Sequence, residues 1–142
     1  MTDPIYQLIY CSHVAEAPPD ETARILAVSR TNNARDGLTG ALLHKDGLFA
    51  QLLEGPLPVV ERTFERIQCD ARHDNVVVLQ FAEVGSRAFS DWSMADAGAA
   101  VDPLASPLPA DLLARPANQA ADEVLAILRD LVNRQADWAI AS

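Results

Sequence analysis

The sequence predicts an α+β domain in which one sheet carries two helices on the same face. Short segments of alternating or continuous apolar character are separated by two segments whose apolar residues recur at helical spacing, in the order βαββαββ. This order is typical of the ferredoxin-like arrangement, an antiparallel sheet with its helices on one side. The chain has 142 residues and is 49% hydrophobic, so a single core can bury most of its apolar surface.

The first strand and the first helix place polar groups in apolar surroundings. Alternation predicts a strand over residues 5–12, in which Tyr10 shares a face with apolar neighbours. A helix is expected to begin after Asp20, which follows two prolines and can cap it, and to end near Asn33. One stripe of this helix carries three polar residues, Ser29, Asn32 and Asn33.

A hairpin is predicted next, with strands over residues 38–44 and 48–54. The dipeptide Asp46-Gly47 between them favours a tight two-residue turn. Gln51 stands in the second of these strands, which is apolar on both faces. A glutamine buried there needs a hydrogen-bonding partner.

The remaining elements complete the order. A helix is predicted over residues 60–70 after a break at Pro58, followed by a strand over 76–84 that is rich in β-branched residues. A final short strand is expected within residues 89–95.

A change of composition after Gly98 divides the chain. Prolines punctuate an alanine-rich stretch there, which argues against further strands, so residues 1–98 are assigned to the domain and residues 99–142 to a C-terminal helical extension. The extension carries an apolar stripe, formed by Val124, Leu128, Leu131 and Val132. The stripe would either cover the sheet face that the first two helices leave bare or meet a partner chain, and periodicity leaves both open.

Charge and hydropathy exclude some classes of partner. Eleven basic residues stand against twenty acidic ones, giving a net charge of −9 that would repel a nucleic-acid backbone. A nucleotide cofactor stays compatible, because a few local arginines can hold its phosphates. We expect a soluble, cytoplasmic protein that does not enter a membrane, since the chain has neither an apolar run of spanning length nor a signal-peptide pattern.

Motifs of familiar enzymes and metal sites are not found in the sequence. It contains no phosphate-binding P-loop, no GxGxxG and no GxSxG, so we expect no enzyme. The histidines, His13, His44 and His73, fall in separate elements, and no metal site is expected from them. Neither Cys11 nor Cys69 belongs to a CxxC motif, and we expect no disulfide.

A set of uncharged hydrogen-bonding residues lies in apolar elements instead. Its members are Tyr10, Ser29, Asn32, Asn33 and Gln51, with Trp92 and Met94 near the last strand. Each alone has a more ordinary explanation, as a core tyrosine, a fraying helix end or a packing residue. Together they must satisfy one another or a ligand, and a flavin ring would fit because its edge is polar and its faces are flat and apolar.

The sequence resembles the BLUF family of blue-light sensors that use FAD. The resemblance runs from about residue 5 to residue 95 and rests on ordered motifs. These are LIYCS around Tyr10, SRTNNARDGLTGALL from Ser29, FAQLLEG around Gln51, DARH ending at His73 and FSDWSM ending at Met94.

The resemblance implies that FAD lies between the two helices. It assigns cofactor binding to Ser29, Asn32, Asn33, Gln51, Arg72 and His73. In this assignment Asn33 bonds the carbonyl edge of the flavin and His73 lies near the ring, while Arg72 either supports the structure or helps to hold polar groups of the ligand.

The family mechanism implies a switch built from Tyr10 and Gln51. Blue light excites the flavin, Tyr10 donates an electron and a proton, and Gln51 reorients or tautomerises to give a red-shifted state. Trp92 and Met94 would sense this change and pass it to the helical extension; which of the two faces Gln51 is open.

The signal is expected to pass to an unidentified effector protein or to change the self-association of the chain. A homodimer or higher homo-oligomer is the family expectation.

Two alternatives stay open at this point. The fold could serve an acylphosphatase-like hydrolase, or a ligand-free oligomerisation module in which the polar residues bond one another. Flavin-dependent redox catalysis is a further possibility, although no substrate domain accompanies the matching residues.

Overall fold

A computed structural model describes residues 4–14, 19–45, 47–69, 73–90, 92–97, 108–109 and 111–141. The elements are β1 (Ile5–Val14), α1 (Pro19–Asp36), β2 (Thr39–Lys45), β3 (Leu48–Pro56), α2 (Leu57–Gln68), β4 (His73–Val84), β5 (Ala95–Asp96) and α3 (Ala117–Ala141), with a 3₁₀ turn at Leu112–Ala114. The sheet order is β4-β1-β3-β2-β5. The predicted ferredoxin-like α+β fold is confirmed.

The sheet is mixed rather than wholly antiparallel, which corrects the sequence-based expectation. The β1–β3, β1–β4 and β2–β3 pairs are antiparallel, whereas β5 runs parallel to β2. The directions of these strands place the end of β4 and the start of β2 at the same end of the sheet. After β4 the chain crosses along that end of the sheet to the edge formed by β2. The next strand, β5, therefore runs parallel to β2.

The final strand is shorter than predicted. The short strand is predicted within residues 89–95, and β5 consists of Ala95 and Asp96 only, at the end of that segment. The preceding backbone turns instead, with Trp92 N–H donating to the Phe89 carbonyl at 3.0 Å. The aromatic and apolar residues of this segment are typical of a strand. Its peptide groups, however, form a hydrogen bond within a turn and accept hydrogen bonds from α1 and β2.

The boundaries of both amino-terminal helices differ from the prediction by about one turn. Helix α1 continues to Asp36, and Gly37, at φ 79°, then reverses the chain in a conformation that favours glycine. Helix α2 begins at Leu57, before the predicted start, with Pro58 in its first turn. Proline is tolerated there because the first N–H groups of a helix have no intrahelical partner.

Each face of the sheet has its own core. Toward α2, the apolar cluster contains Leu8, Tyr10, Leu38, Leu42, Phe49, Leu53, Val60 and Met94. The opposite cluster joins Ile9, Cys11, Leu43 and Leu52 to Val124, Leu128, Leu131 and Val132 of α3. The stripe of the C-terminal extension therefore covers the sheet face that the first two helices leave bare.

A close backbone approach fixes the edge of the sheet next to β5. A Cβ atom on Gly40 would lie 2.0 Å from the Leu52 carbonyl oxygen, so only glycine fits this position of β2. The Gly40 N–H donates to the Trp92 carbonyl at 3.0 Å and joins the chain before β5 to this edge.

None of the helices in the described part of the chain is long and apolar enough to cross a membrane. Both cysteines are free thiols; Cys11 is buried and Cys69 is exposed at the end of α2. Within the same residues, no group of three or more ligating side chains could hold a metal ion.

Candidate flavin site

Tyr10 and Gln51 form a direct hydrogen-bonded pair at the centre of the sheet. They are opposite one another in the β1–β3 register, and the Tyr10 hydroxyl donates to Gln51 Oε1. Tyr10 is fully buried and Gln51 is 5% exposed. A polar pair in this position is shielded from water, so the orientation of the amide is controlled by its protein partners.

Met94, and not Trp92, faces Gln51. Gln51 Nε2 donates to the Met94 sulfur at 3.5 Å, and the methionine is buried in the same cluster as Tyr10. Trp92 is half-buried and packs against the opposite cluster, beneath α3. A thioether sulfur accepts hydrogen bonds and cannot donate them, so only the nitrogen end of the amide bonds favourably to Met94.

Two side chains of α1 hold the segment that contains Met94. Asn33 is buried, and its Nδ2 donates to the Ser93 carbonyl at 2.8 Å. Arg30 Nε donates to the Met94 carbonyl at 2.9 Å. These bonds replace strand pairing for residues 93–94 and tie the backbone around Met94 to the helix.

The remaining predicted cofactor residues are distributed unevenly. Ser29 and Asn32 are half-buried on α1, in the stripe that also contains Asn33. His73 is the first residue of β4, where its backbone pairs with Val14, and its side chain lies outside the described part of the structure. Arg72 also lies outside the described residues. The structure thus brings together Tyr10, Gln51 and Met94. Asn33 is bonded to the backbone of Ser93, the residue that precedes Met94.

Aromatic rings line the pair on the helical side. The Tyr10 ring lies 5.7 Å from that of Phe64 on α2 and 6.2 Å from that of Phe49 on β3, measured between centroids. Phe64 and Ile67 are only partly buried and pack against the cluster around Tyr10. This helix therefore presents a flat apolar surface next to the buried polar pair.

A cleft of about 490 Å³ opens between α1 and α2. It is lined by Arg35 and Asp36 of α1 and by Arg62, Glu65, Arg66 and Cys69 of the α2 segment. Arg35 Nε lies 3.0 Å from Asp36 Oδ1. This hydrogen bond, and the positive charges of Arg35, Arg62 and Arg66, hold the pKa of the Asp36 carboxyl below its usual range.

The chemistry of these residues fits a flavin. The cleft has the volume of a typical cofactor site, and the surface beside it is apolar and aromatic. An amide side chain offers two donor hydrogens and two acceptor lone pairs, and the described contacts of Gln51 use one of each. One donor hydrogen and one acceptor lone pair of Gln51 therefore remain for the polar edge of a ligand.

A buried carboxylate that the sequence-based reasoning missed anchors the connection from β4 to β5. Glu54 is fully buried and accepts from Thr39 Oγ1 at 3.0 Å, from Ala88 N–H at 2.8 Å and from Phe89 N–H at 2.7 Å. Arg87 completes this cluster, donating to the Thr39 hydroxyl at 2.8 Å. The sequence signal was a lone charged residue in a strand whose one other polar side chain is Gln51.

Arg30 was also missed, because an arginine on an exposed helix face is ordinary and its partner is a backbone carbonyl more than sixty residues away. No periodicity in the sequence connects the two positions. Residue spacing identified Asn33 but gave no partner for it in the protein.

A ferredoxin-like sheet with a buried tyrosine–glutamine pair, beside a cleft between its two helices, defines a flavin-binding sensor class. The family model "Sensors of blue-light using FAD", called BLUF, matches residues 5–95, more than half of the chain. The chain belongs to the BLUF family, and the predicted resemblance is confirmed.

Relatives and solved structures agree with this assignment. Photoactivated adenylate cyclase subunit beta of Euglena gracilis is 36% identical over 78 residues, covering 54% of this chain but 9% of that protein. The chain therefore spans about a tenth of that curated relative.

Among solved structures, the dark state of the BLUF protein BlrB superposes with a TM-score of 0.71 at 28% identity, covering 95% of this chain and 99% of that one. Klebsiella pneumoniae BlrP1 with FMN and cyclic diGMP gives a TM-score of 0.62 at 29% identity, covering 87% of this chain and 30% of that one.

Proposed function

We propose that this chain is a blue-light photoreceptor that binds FAD between α1 and α2 and switches through Tyr10 and Gln51. The observation that carries the proposal is the buried series from the Tyr10 hydroxyl through the Gln51 amide to the Met94 sulfur. Its amide links a redox-capable phenol to the segment before β5. Family membership and the cleft between the helices support the flavin.

In this proposal Asn33, Asn32, Ser29 and Gln51 hold the polar edge of the flavin, with Arg72 and His73 as the family resemblance assigns them. Bound flavin would supply absorption of blue light and an excited state that accepts an electron, for which the buried Tyr10 phenol is the nearby donor. Phe64 and Ile67 would exclude water from one side of the site.

The Tyr10 proton has a defined acceptor. The hydroxyl already donates to Gln51 Oε1, so a proton leaving the phenol passes to that oxygen without a solvent molecule. If the amide nitrogen then gave up one proton to the bound flavin, which would have accepted the Tyr10 electron, Gln51 would become its imidic tautomer with no change in its own net charge. Rotation of the side chain exchanges its two ends and produces a second hydrogen-bond arrangement.

The second arrangement would release Met94. If Gln51 rotates as an amide, its carbonyl oxygen turns toward the sulfur and places two acceptors together, so the bond to Met94 is lost. The next residue, Ala95, packs in the cluster on the opposite face, together with Val124 and Leu128 of α3. A displacement of Met94 therefore has a packed route through the sheet edge to the C-terminal helix, which is a two-state switch of small free-energy difference.

We further propose that residues 1–98 form the photosensory part and residues 99–142 the extension that carries the output to an effector protein or to a second copy of the chain. The packing of α3 on the sheet supports this division of roles. Self-association is supported by β4, an edge strand on which Val77, Val78 and Phe81 are each 40% exposed. Cytoplasmic location and the absence of catalysis in this chain stay predictions.

The test is the visible spectrum of the purified protein in the dark and after blue light, with FAD added if needed. We expect a flavin spectrum and a reversible red shift. Gln51→Leu should retain flavin and lose the shift, because leucine cannot exchange hydrogen bonds. Tyr10→Phe should retain flavin and the ring packing but lose the donor.

The matched control is Gln7→Leu. Gln7 is a buried glutamine on β1 that accepts from Gln80 at 2.9 Å, and it is not in contact with the proposed switch. This variant should keep the red shift. A protein that binds no flavin, or a Gln51→Leu protein with an unchanged shift, would refute the proposal.

A further inference from the structure

The carbonyl groups of residues 92–94 are each held by a donor from another part of the chain. The donors are the Gly40 N–H at 3.0 Å, Asn33 Nδ2 at 2.8 Å and Arg30 Nε at 2.9 Å, in the order of the residues that they hold. Strand pairing begins only at Ala95, so these three bonds fix the backbone that leads into β5. Asn33 and Arg30 lie three positions apart on α1, and one side of that helix therefore holds two of the three carbonyls.

Arg30 is the donor whose presence needs an explanation. An exposed arginine on a helix ordinarily keeps its guanidinium group in water. Here the bond uses Nε, the guanidinium nitrogen nearest the helix, so the group lies against the segment before β5. The distance is that of a normal N–H···O hydrogen bond, and the positive charge of the donor makes such a bond stronger than a neutral one. The side chain thus has a specific partner, the carbonyl of Met94.

This acceptor belongs to the residue whose sulfur contacts the switch. Met94 accepts from Arg30 through its carbonyl oxygen and from Gln51 Nε2 through its sulfur, the latter at 3.5 Å. A methionine side chain has three rotatable bonds and adapts to the space around it, so it does not fix the position of its own sulfur. The contact with Gln51 therefore depends on where the backbone of Met94 lies, and Arg30 is bonded directly to that backbone.

We propose that Arg30 is a positioning residue of the switch: by holding the Met94 carbonyl, it keeps the Met94 sulfur within reach of Gln51 Nε2 in the dark. The effect on the photocycle rests on the proposed function, whereas the positioning itself is a property of the flavin-free chain. Arg30 acts through Met94 alone. Its removal leaves Tyr10 and Gln51 in place, so the red shift should still form while the dark arrangement becomes less favoured.

The positioning is tested first without flavin. The chain has two methionines, Met1 and Met94, so protein labelled at its methionine methyl groups gives two NMR resonances, and Met94→Leu identifies the one from Met94. The Met94 side chain is buried in the cluster that contains the Tyr10 and Phe49 rings, whose ring currents shift its resonance. In Arg30→Ala this resonance should move toward the position of a methionine in an unfolded chain, because the side chain is no longer held in one place.

The effect on the switch is tested in the flavin-loaded protein. Arg30→Ala should retain the flavin spectrum and the red shift, and should slow thermal recovery of the dark state by about two- to fivefold, since the Gln51–Met94 hydrogen bond is weakened. In a Met94→Leu background the same substitution should slow recovery by less than about 1.5-fold, because no sulfur remains to be positioned. An arginine that only stabilised the fold would have the same effect in both backgrounds.

Two variants separate the hydrogen bond from the charge. Arg30→Lys keeps the charge but lacks the guanidinium group, so its resonance and its recovery rate should lie between those of Arg30→Ala and the wild type. Arg134→Ala removes one positive charge from an exposed position on α3, where the side chain pairs with Asp130 at 2.8 Å. This control should match the wild type in both measurements.

The outcomes separate the two proposals. An unchanged Met94 resonance in Arg30→Ala, or equal slowing of recovery in both backgrounds, would overturn the positioning role while leaving the photoreceptor proposal in place. If the wild type shows no flavin spectrum or no red shift, the proposed function fails, and the Met94 resonance of the flavin-free protein still decides whether Arg30 positions this residue.

Discussion

Glu54 gives a quantitative test of how the chain before β5 is held. Its carboxylate is fully buried and accepts three hydrogen bonds, one from the Thr39 hydroxyl and two from the N–H groups of Ala88 and Phe89. In Glu54→Gln the side chain has nearly the same size. One carboxylate oxygen is replaced by an NH₂ group, which is a donor.

The cost follows from the contacts. The amide oxygen can take over the two bonds of Oε1, from Thr39 and Phe89, but without the negative charge that strengthens them. The NH₂ group then faces the Ala88 N–H, so that one charge-assisted bond is lost and two donors meet. Hydrogen bonds to charged groups contribute about 1.5 to 3 kcal/mol each, so the free energy of unfolding should fall by about 2 to 4 kcal/mol.

The assay is urea denaturation of flavin-free protein, followed by circular dichroism. With a slope of about 2 kcal/mol per molar urea, the midpoint should fall by roughly 1 to 2 M. Glu83→Gln is the matched control, because Glu83 is exposed on β4, and it should stay within about 0.5 kcal/mol of the wild type. If Glu54→Gln is as stable as this control, the buried carboxylate does not anchor the connection and the reasoning fails.

Three further predictions concern the core and the switch. Burial raises the pKa of the Cys11 thiol to about 11 from 9.0, so the stability that depends on the protonated thiol is fully present below pH 9 and is lost as the pH rises through 11. Over this rise the free energy of unfolding, measured by urea denaturation, should fall by up to about 2 to 3 kcal/mol more than in Cys11→Ala, and parallel pH curves would contradict this. Leu128→Ala should cost about 2 to 5 kcal/mol, because the side chain is fully buried under the sheet; Leu113→Ala, at a position 41% exposed, should cost less than about 1 kcal/mol in the same denaturation assay. Met94→Leu keeps the packing volume but removes the acceptor for Gln51 Nε2, so the dark arrangement loses a hydrogen bond. Thermal recovery after illumination should therefore slow by about two- to fivefold, as measured by the decay of the red-shifted absorbance. Recovery that is unchanged or faster would show that this bond does not favour the dark state.

Strands β1 and β3 on one side, and the final strand β5 on the other, show where a local sequence pattern predicts an element correctly and where it does not. In β1 and β3, apolar character over many residues predicts buried strands, and Tyr10 and Gln51 are both buried in them. At β5, two residues give no periodicity, and the apolar residues before them resembled a strand. Their backbone is instead bonded by Asn33, Arg30 and Gly40, from elements far away in the sequence.

The same distinction applies to the site. The sequence by itself determined that a phenol and an amide lie in apolar strands, that polar residues share a stripe of α1, and that the motifs belong to a flavin-binding family. Only the tertiary structure decided that Tyr10 is opposite Gln51, that Met94 rather than Trp92 contacts the amide, and that α3 covers the second face of the sheet. Local periodicity reports whether a side chain is buried, whereas its partner depends on strand register and on the side at which the chain returns, and both are set by contacts between distant residues.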